Sequence, residues 1–366
     1  MKIVNERLNI LSLVMSLITL AVPGCEQIKE ETIDKGVQSM QVKRLLDQPI
    51  ITPELDESIG ENIQGPSVIR VPDWVENRLG KYYLYFADHK GSHIRLAYAD
   101  DIVGPWKIHT PGSLQLADTH FLVEPPAVSA EEIDQIKIKA AEVLGGMANL
   151  PHDLVHEITA PHIASPDVHV DEENRKIIMY FHGLQGVGIQ LSRVATSSDG
   201  IHFTALPEVL GRTYMRAFTH QNQTYVMAMP GILYRSENRL SGFEKGPQLF
   251  NKNMRHSAIL KRCNTLYVFW TQVGDAPERI LLSTVDASGD WMSWQESASR
   301  EVLRPEYVWE GADAPLEPSM RSVAYGKVNQ LRDPAIFEDQ GRIYLFYAVA
   351  GESGIAVAEI TELPPG

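Results

Sequence analysis

The chain is poor in cysteine: two residues, Cys25 and Cys263, in 366. That excludes a disulfide framework. It lacks a surplus of positive charge, with 33 Lys and Arg against 47 Asp and Glu and a formal net charge of −14. Such a chain has nothing to neutralise phosphates in bulk, so no nucleic-acid partner is expected. A bilayer-length apolar run is missing at the N-terminus too. The mostly apolar stretch from Leu8 to Val22 has fifteen residues, which suits a signal-peptide core and is short for a membrane span. What is present is a globular composition, 44% hydrophobic and 22% charged, with 22 Pro and 26 Gly. Many of these flank aromatic or β-branched runs, the mark of a turn-rich β protein.

Lys2 and Arg7 precede the apolar stretch, which runs into Val22-Pro23-Gly24-Cys25. This junction resembles a bacterial lipobox. The resemblance implies that residues 1–24 are removed and that Cys25 is lipidated as the mature N-terminus. The protein would then be lipid-anchored on the bacterial cell envelope, periplasmic or surface-facing, and would meet the membrane only through its anchor. The alternative is an ordinary secretory signal with a chance cysteine. Residues 25–41 are polar and charged and read as a tether. With Cys25 acylated, Cys263 is expected to be a buried thiol.

From residue 42 to 366 one unit recurs five times. Its centre is an apolar, aromatic string: Tyr83–Phe86, Ile178–Phe181, Val226–Met229, Tyr267–Trp270 and Tyr344–Tyr347. A polar turn precedes each string, and another strand-like run precedes each turn, so each pair reads as a β-hairpin. A third strand follows, then a turn closed by an aromatic residue such as Trp106, Phe203, Phe243 or Trp294. Four strands in each of five units predict an all-β, five-bladed β-propeller. The fifth unit ends before a fourth strand, and an open edge is a pairing liability. The spare segment from Val42 to Ile51 is expected to supply that outer strand and close the ring.

Two insertions break the spacing. Residues 111–157 separate blades one and two and contain a predicted helix, Ala130 to Leu144. Ser129 can cap it, Glu131 and Glu132 suit its first turn, and Gly145-Gly146 ends it. Residues 298–329 form the second insertion. Within the first, His152 and His156 have helical spacing but follow Pro151 and lack a third ligand, so no zinc site is expected.

Ala164-Ser165-Pro166-Asp167-Val168 and Arg332-Asp333-Pro334-Ala335-Ile336 give this propeller a family likeness. Residues 60–360 resemble the five-bladed glycosidases of the clan around glycoside hydrolase family 43. The resemblance implies that Asp167 orients a catalytic acid and that His256, in Arg255-His256-Ser257, lies near a central calcium ion or water. It also implies a general base opening blade one and a general acid opening blade three. The first place holds Gly65 and the second Arg216. Inverting hydrolysis needs two carboxyl groups, one protonated and one not.

First strands of blades line a propeller's channel. That reading places Asp167, His162, Arg216, His256, Arg332 and Asp333 there, with Asn62 and Ser67 nearby and His89 at the mouth. Asp167, His256 and Asp333 are the candidate catalytic residues, and Glu278, expected on a rim loop, is the spare carboxylate. Arg216, Arg332, His162 and His89 are candidate substrate-binding residues. The two arginines favour an anionic sugar such as a uronate, or else simply neutralise Asp167 and Asp333. The expected partner is an oligo- or polysaccharide, and no cofactor beyond the implied calcium is expected. Three activities stay open: a glycoside hydrolase-like enzyme, a noncatalytic sugar binder, and a uronate lyase in which Arg216 neutralises the carboxylate and His256 abstracts the α-proton.

Overall fold

The computed structural model describes residues 40–363, apart from 148 and 149. The signal segment, Cys25 and most of the tether lie outside the described residues. The propeller has five four-stranded antiparallel sheets. Blade one is β2 (Gln64–Arg70), β3 (Tyr82–Ala87), β4 (His93–Ala99) and β5 (Lys107–Gln115). Blade two is β6 (Ile163–Asp171), β7 (Lys176–Gly186), β8 (Ile189–Ser197) and β9 (Thr204–Ala205). Blade three is β10 (Arg216–His220), β11 (Gln223–Ala228), β12 (Ile232–Ser236) and β13 (Glu244–Gln248). Blade four is β14 (Met254–Arg262), β15 (Thr265–Gln272), β16 (Ile280–Asp286) and β17 (Arg300–Leu303).

Blade five confirms the closure. β18 (Arg332–Asp339), β19 (Arg342–Ala348) and β20 (Ile355–Glu362) are joined by β1 (Gln41–Arg44), which pairs antiparallel with β20. Ile51 adds a bridge to Ile355, so the N-terminal segment follows β20 along its length. Side chains fasten it further. Arg44 makes a bidentate pair with the buried Glu310 of the second insertion, at 2.7 and 2.8 Å, and Glu310 also accepts from the Tyr347 hydroxyl.

The second strands are apolar because both faces are covered by neighbouring blades. Tyr83, Leu84, Tyr85 and Phe86 are all fully buried. The closing aromatics dock on the same interfaces; Phe203 of blade two packs edge-on against Tyr85 of blade one. α1 (Ala130–Leu144) has the expected bounds. Ser129 and Glu132 form a capping box, and Gly145 adopts the left-handed conformation at its C-terminal end. α2 (Leu154–Thr159) follows in the same insertion. Cys263 corrects an expectation: it is exposed, in the tight turn between β14 and β15, where its φ is +48°.

Candidate functional site

Each first strand enters the centre through the same local break. Gln64 pairs with Ala87 but Ser67 with Tyr85, so three steps on one strand match two on the other. The same shift recurs between Ala164 and Asp167, Met254 and Ser257, and Arg332 and Ala335. In blade three the Met229 amide bonds to Thr213 while Arg216 pairs with Met227, which gives the same count. Such bulges re-aim side chains and are common beside functional sites. The equivalent second positions are Gly65, Ser165, Tyr214, Arg255 and Asp333, and all but Arg255 have positive φ. Among them Asp333 is the one carboxylate. Asp167 and Arg216 stand two residues deeper, level with Ser67, Ser257 and Ala335. Arg216, expected at the place that opens blade three, therefore stands beyond the bulge, and Tyr214 holds that place.

The deeper residues clamp blade to blade. Ser67 accepts from the Val168 amide, and Asp167 accepts from the Ala217 amide at 2.7 Å. Arg216, only 4% exposed, donates from Nε to Ser257 O and from Nη1 to Pro166 O, and lies 3.6 Å from Asp167. Burial would raise the Asp167 carboxyl, yet His169 at 2.7 Å and Arg216 hold it below its ordinary value.

Between the two ends of the channel lies a sealed centre. Asp333 is fully buried. Its amide donates to Nδ1 of His256, and its own Oδ1 lies 3.1 Å from that nitrogen. A ring nitrogen that accepts cannot donate to a carboxylate, so the second contact is favourable with Asp333 protonated. Burial and the nearby Glu352 push its pKa up to about 7. Burial holds His256 well below the usual imidazole range. The rings of His256, Tyr214, His182 and His162 follow one another with centroids 4.7, 4.6 and 5.9 Å apart. His162 bonds to Ala160 O, and burial lowers it to about 3.

Glu278 is not on a rim loop: it is fully buried, 3.1 Å from Arg255 and 3.6 Å from Arg332. Its strand-flanking Pro277 and Arg279 suggested exposure, while its partners are distant in sequence. Arg332 also bonds to Glu352 at 2.6 Å. Burial would raise Glu352, but His89 and Arg332, with Asn62, hold it far below the carboxylate range. Among the described residues no three His, Cys, Asp or Glu side chains converge as a metal requires. The residues around His256 therefore do not by themselves form a cage for the implied calcium.

Two cavities remain, one at each end of the channel. At the N-terminal mouth, where first strands begin, a cavity of about 340 Å³ is lined by His89, Glu157, Gln190, Arg212, Tyr214, Arg255 and Arg321 among others. Glu157, on α2, is 3.1 Å from Lys90 and accepts from the Ser322 hydroxyl and Val323 amide. Burial opposes its ionisation, but Lys90 and His89 bring it to about 2. At the C-terminal mouth a cavity of about 450 Å³ is lined by all five first strands and includes Asp167, His169 and Arg216. The residues expected in one funnel thus divide: His89 lines one mouth, Asp167 and Arg216 line the other, and His162, His256, Arg332 and Asp333 are buried and line neither. Glu157, Arg212, Arg321 and Glu352 went unseen in the sequence because they lie in connections with no periodic pattern.

These features define a five-bladed propeller with the fold of family-43 glycoside hydrolases. A family-43 β-xylosidase/α-arabinofuranosidase from a compost microbial metagenome, solved with xylotriose in a calcium-free form, matches with a TM-score of 0.51. The match covers 89% of this chain and 96% of that one, at 14% identity. A family-43 enzyme from Xanthomonas citri, complexed with xylotriose, matches with a TM-score of 0.50 over 86% and 89% of the two chains, at 13% identity. No family model matches the chain. In sequence it is 36% identical over 326 residues to uncharacterized protein R118 of Acanthamoeba polyphaga mimivirus, covering 82% of this chain and 83% of that protein. The chain belongs to the same family as R118.

Proposed function

We propose that this protein is a carbohydrate-active propeller that binds an anionic oligosaccharide at the N-terminal mouth and hydrolyses it. The observation that carries the reading is the composition of that mouth. Arg212, Arg255 and Arg321 line it beside Tyr214 and His89, with one carboxylate, Glu157, on the wall. Arg255 is already engaged by Glu278, Met320 O and Ser322 O. Arg212 is exposed, while half-buried Arg321 donates from Nη2 to Lys252 O at 2.8 Å, so Arg212 is the freer fork for an incoming carboxylate. Tyr214, its ring between His182 and His256, forms part of the floor. The xylotriose bound by the neighbours in fold supports an oligosaccharide as partner.

Hydrolysis needs an ionised and a protonated carboxyl group. Glu157, brought to about 2, is ionised near neutral pH and stands on the wall of this mouth, where it can serve as the base. Product analysis on neutral and uronate-containing oligosaccharides tests the reading. New reducing ends from the uronate substrates, lost in Glu157→Gln, are the expected result. Unsaturated products would show a lyase instead, and binding without products a noncatalytic lectin.

The N-terminal segment supports a lipid anchor at Cys25 on the cell envelope. Cys25→Ser is expected to move the protein from the membrane fraction to the soluble one. A parent that is already soluble after lysis contradicts the anchor.

A further inference from the structure

The C-terminal mouth has a different chemistry. Most of its charged wall groups are paired with neighbours of opposite charge. Arg70 pairs with Asp339, Asp73 with Arg78, and Glu338 with Arg262. Glu172 accepts from the Trp74 indole. On the floor, Asp167 balances Arg216 and holds His169. The one lining charge with no counter-ion among the described residues is the carboxylate of Glu172, which disfavours an anion. Two hydrogen-bonding groups remain. Nη2 of Arg216 is buried and has no partner among the described residues. A buried donor left unpaired is costly, so it calls for an acceptor oxygen. His169, fixed by Asp167 and with 37% of its side chain exposed, offers its other ring nitrogen. Around them the wall is apolar, with Val68, Val170, Ile259, Ile336 and Phe337.

We propose that this mouth is a second ligand site, separate from the one above, which takes a neutral sugar. A pyranose carries the oxygens that Arg216 and His169 lack as partners, and its C–H faces suit the apolar wall. The cavity of about 450 Å³ is of ligand-site size. An acidic sugar gains nothing here, because Asp167 already balances Arg216.

Saturation-transfer NMR with D-xylose, D-glucose, D-galactose and D-glucuronate tests the site in the whole protein. At least one neutral sugar is expected to bind. His169→Ala removes one bond to a fixed partner and is expected to weaken neutral-sugar binding about tenfold. His169→Gln keeps a donor toward Asp167 and is expected to restore most of it. Ala217→Leu, which fills the cavity from its wall, is expected to abolish binding, and serves if His169→Ala fails to fold. In Arg321→Ala, which takes a carboxylate-binding fork from the opposite mouth, the D-glucuronate signal is expected to fall, and the preference of this site for neutral over acidic sugars is read in that variant. Absence of binding by every neutral sugar would overturn the proposal. So would tighter binding of D-glucuronate than of every neutral sugar in Arg321→Ala, or full neutral-sugar binding in folded His169→Ala or Ala217→Leu. These outcomes are independent of hydrolysis at the N-terminal mouth.

Discussion

The two mouths are opposite ends of the same five strands, yet their walls come from different parts of the chain. The C-terminal cavity is lined by the strands themselves, from Ser67, Asp167, Arg216, Ala258 and Ala335 outward. The N-terminal cavity is lined largely by connections and insertions: Glu157 on α2, Arg212 before blade three, Arg321 in the second insertion. Strand residues at the centre also hold blades together, so their side chains serve two roles. Connections carry no such duty and can be rebuilt without opening the ring. This difference explains how a chain with Gly65 and Tyr214 at two bulge positions keeps a family-43 propeller fold while carrying a different set of charges at its N-terminal mouth.

The comparison can be broken first at the ring both mouths share. Deleting residues 40–51 strips β20 of β1 and removes Arg44 from Glu310. The expected outcome is an insoluble protein, or a melting temperature lower by more than about 10 °C, since each kcal/mol lost shifts a domain of this size by a few degrees. A truncated protein that melts like its parent would remove the closure account.

A sharper test sets one arginine of each mouth against the other. Arg216→Ala leaves two carbonyls without their donor and Asp167 without its arginine counter-charge in a buried site, and is expected to cost about 3–5 kcal/mol in denaturant unfolding. Arg321→Ala is expected to cost under about 1 kcal/mol while removing most affinity for an acidic oligosaccharide. Arg216→Lys separates clamp from receptor. As a clamp, it lowers stability and does not discriminate acidic from neutral ligands. A selective loss of acidic ligands in Arg216→Lys would return Arg216 to the role of carboxylate reader.

The sealed centre gives a smaller, pH-dependent signature. The pKa of Asp333 is raised in the folded protein to about 7, above the ordinary aspartate value of 3.8. The native state therefore binds more protons than the unfolded one between those values. This contribution to stability is full below about pH 4 and is lost as pH rises through about 7. In Asp333→Asn the carboxyl is gone, so the stability difference between variant and parent is expected to shift in favour of the variant from pH 4 to 8. A difference that stays flat across that range would show that Asp333 titrates normally.

Much of the fold was legible. The aromatic strings, the polar turns before them and the closing Trp106 and Phe203 carry the period of the blade. Ser129 and Gly145 bound α1 by local chemistry alone, and the missing fourth strand of blade five pointed to the segment after residue 41. The site was less legible for a geometric reason. The bulge at each first strand puts Asp333, not Asp167, level with Gly65, and a two-residue offset in depth is invisible without the pairing register. Glu278 found Arg255 and Arg332 through tertiary contact. Glu352 sits in a short turn after β19, where only the glycines on either side hint at a constrained carboxylate.

The central claim is that an acidic glycan occupies the N-terminal mouth. A crystal structure of the Glu157→Gln protein soaked with a uronate-containing trisaccharide tests it most directly. The account predicts sugar density between Arg212, Tyr214 and Arg321, with a ligand carboxylate on one of the two arginines. Density at the C-terminal mouth with that carboxylate on Arg216, and none at the N-terminal mouth, would contradict it.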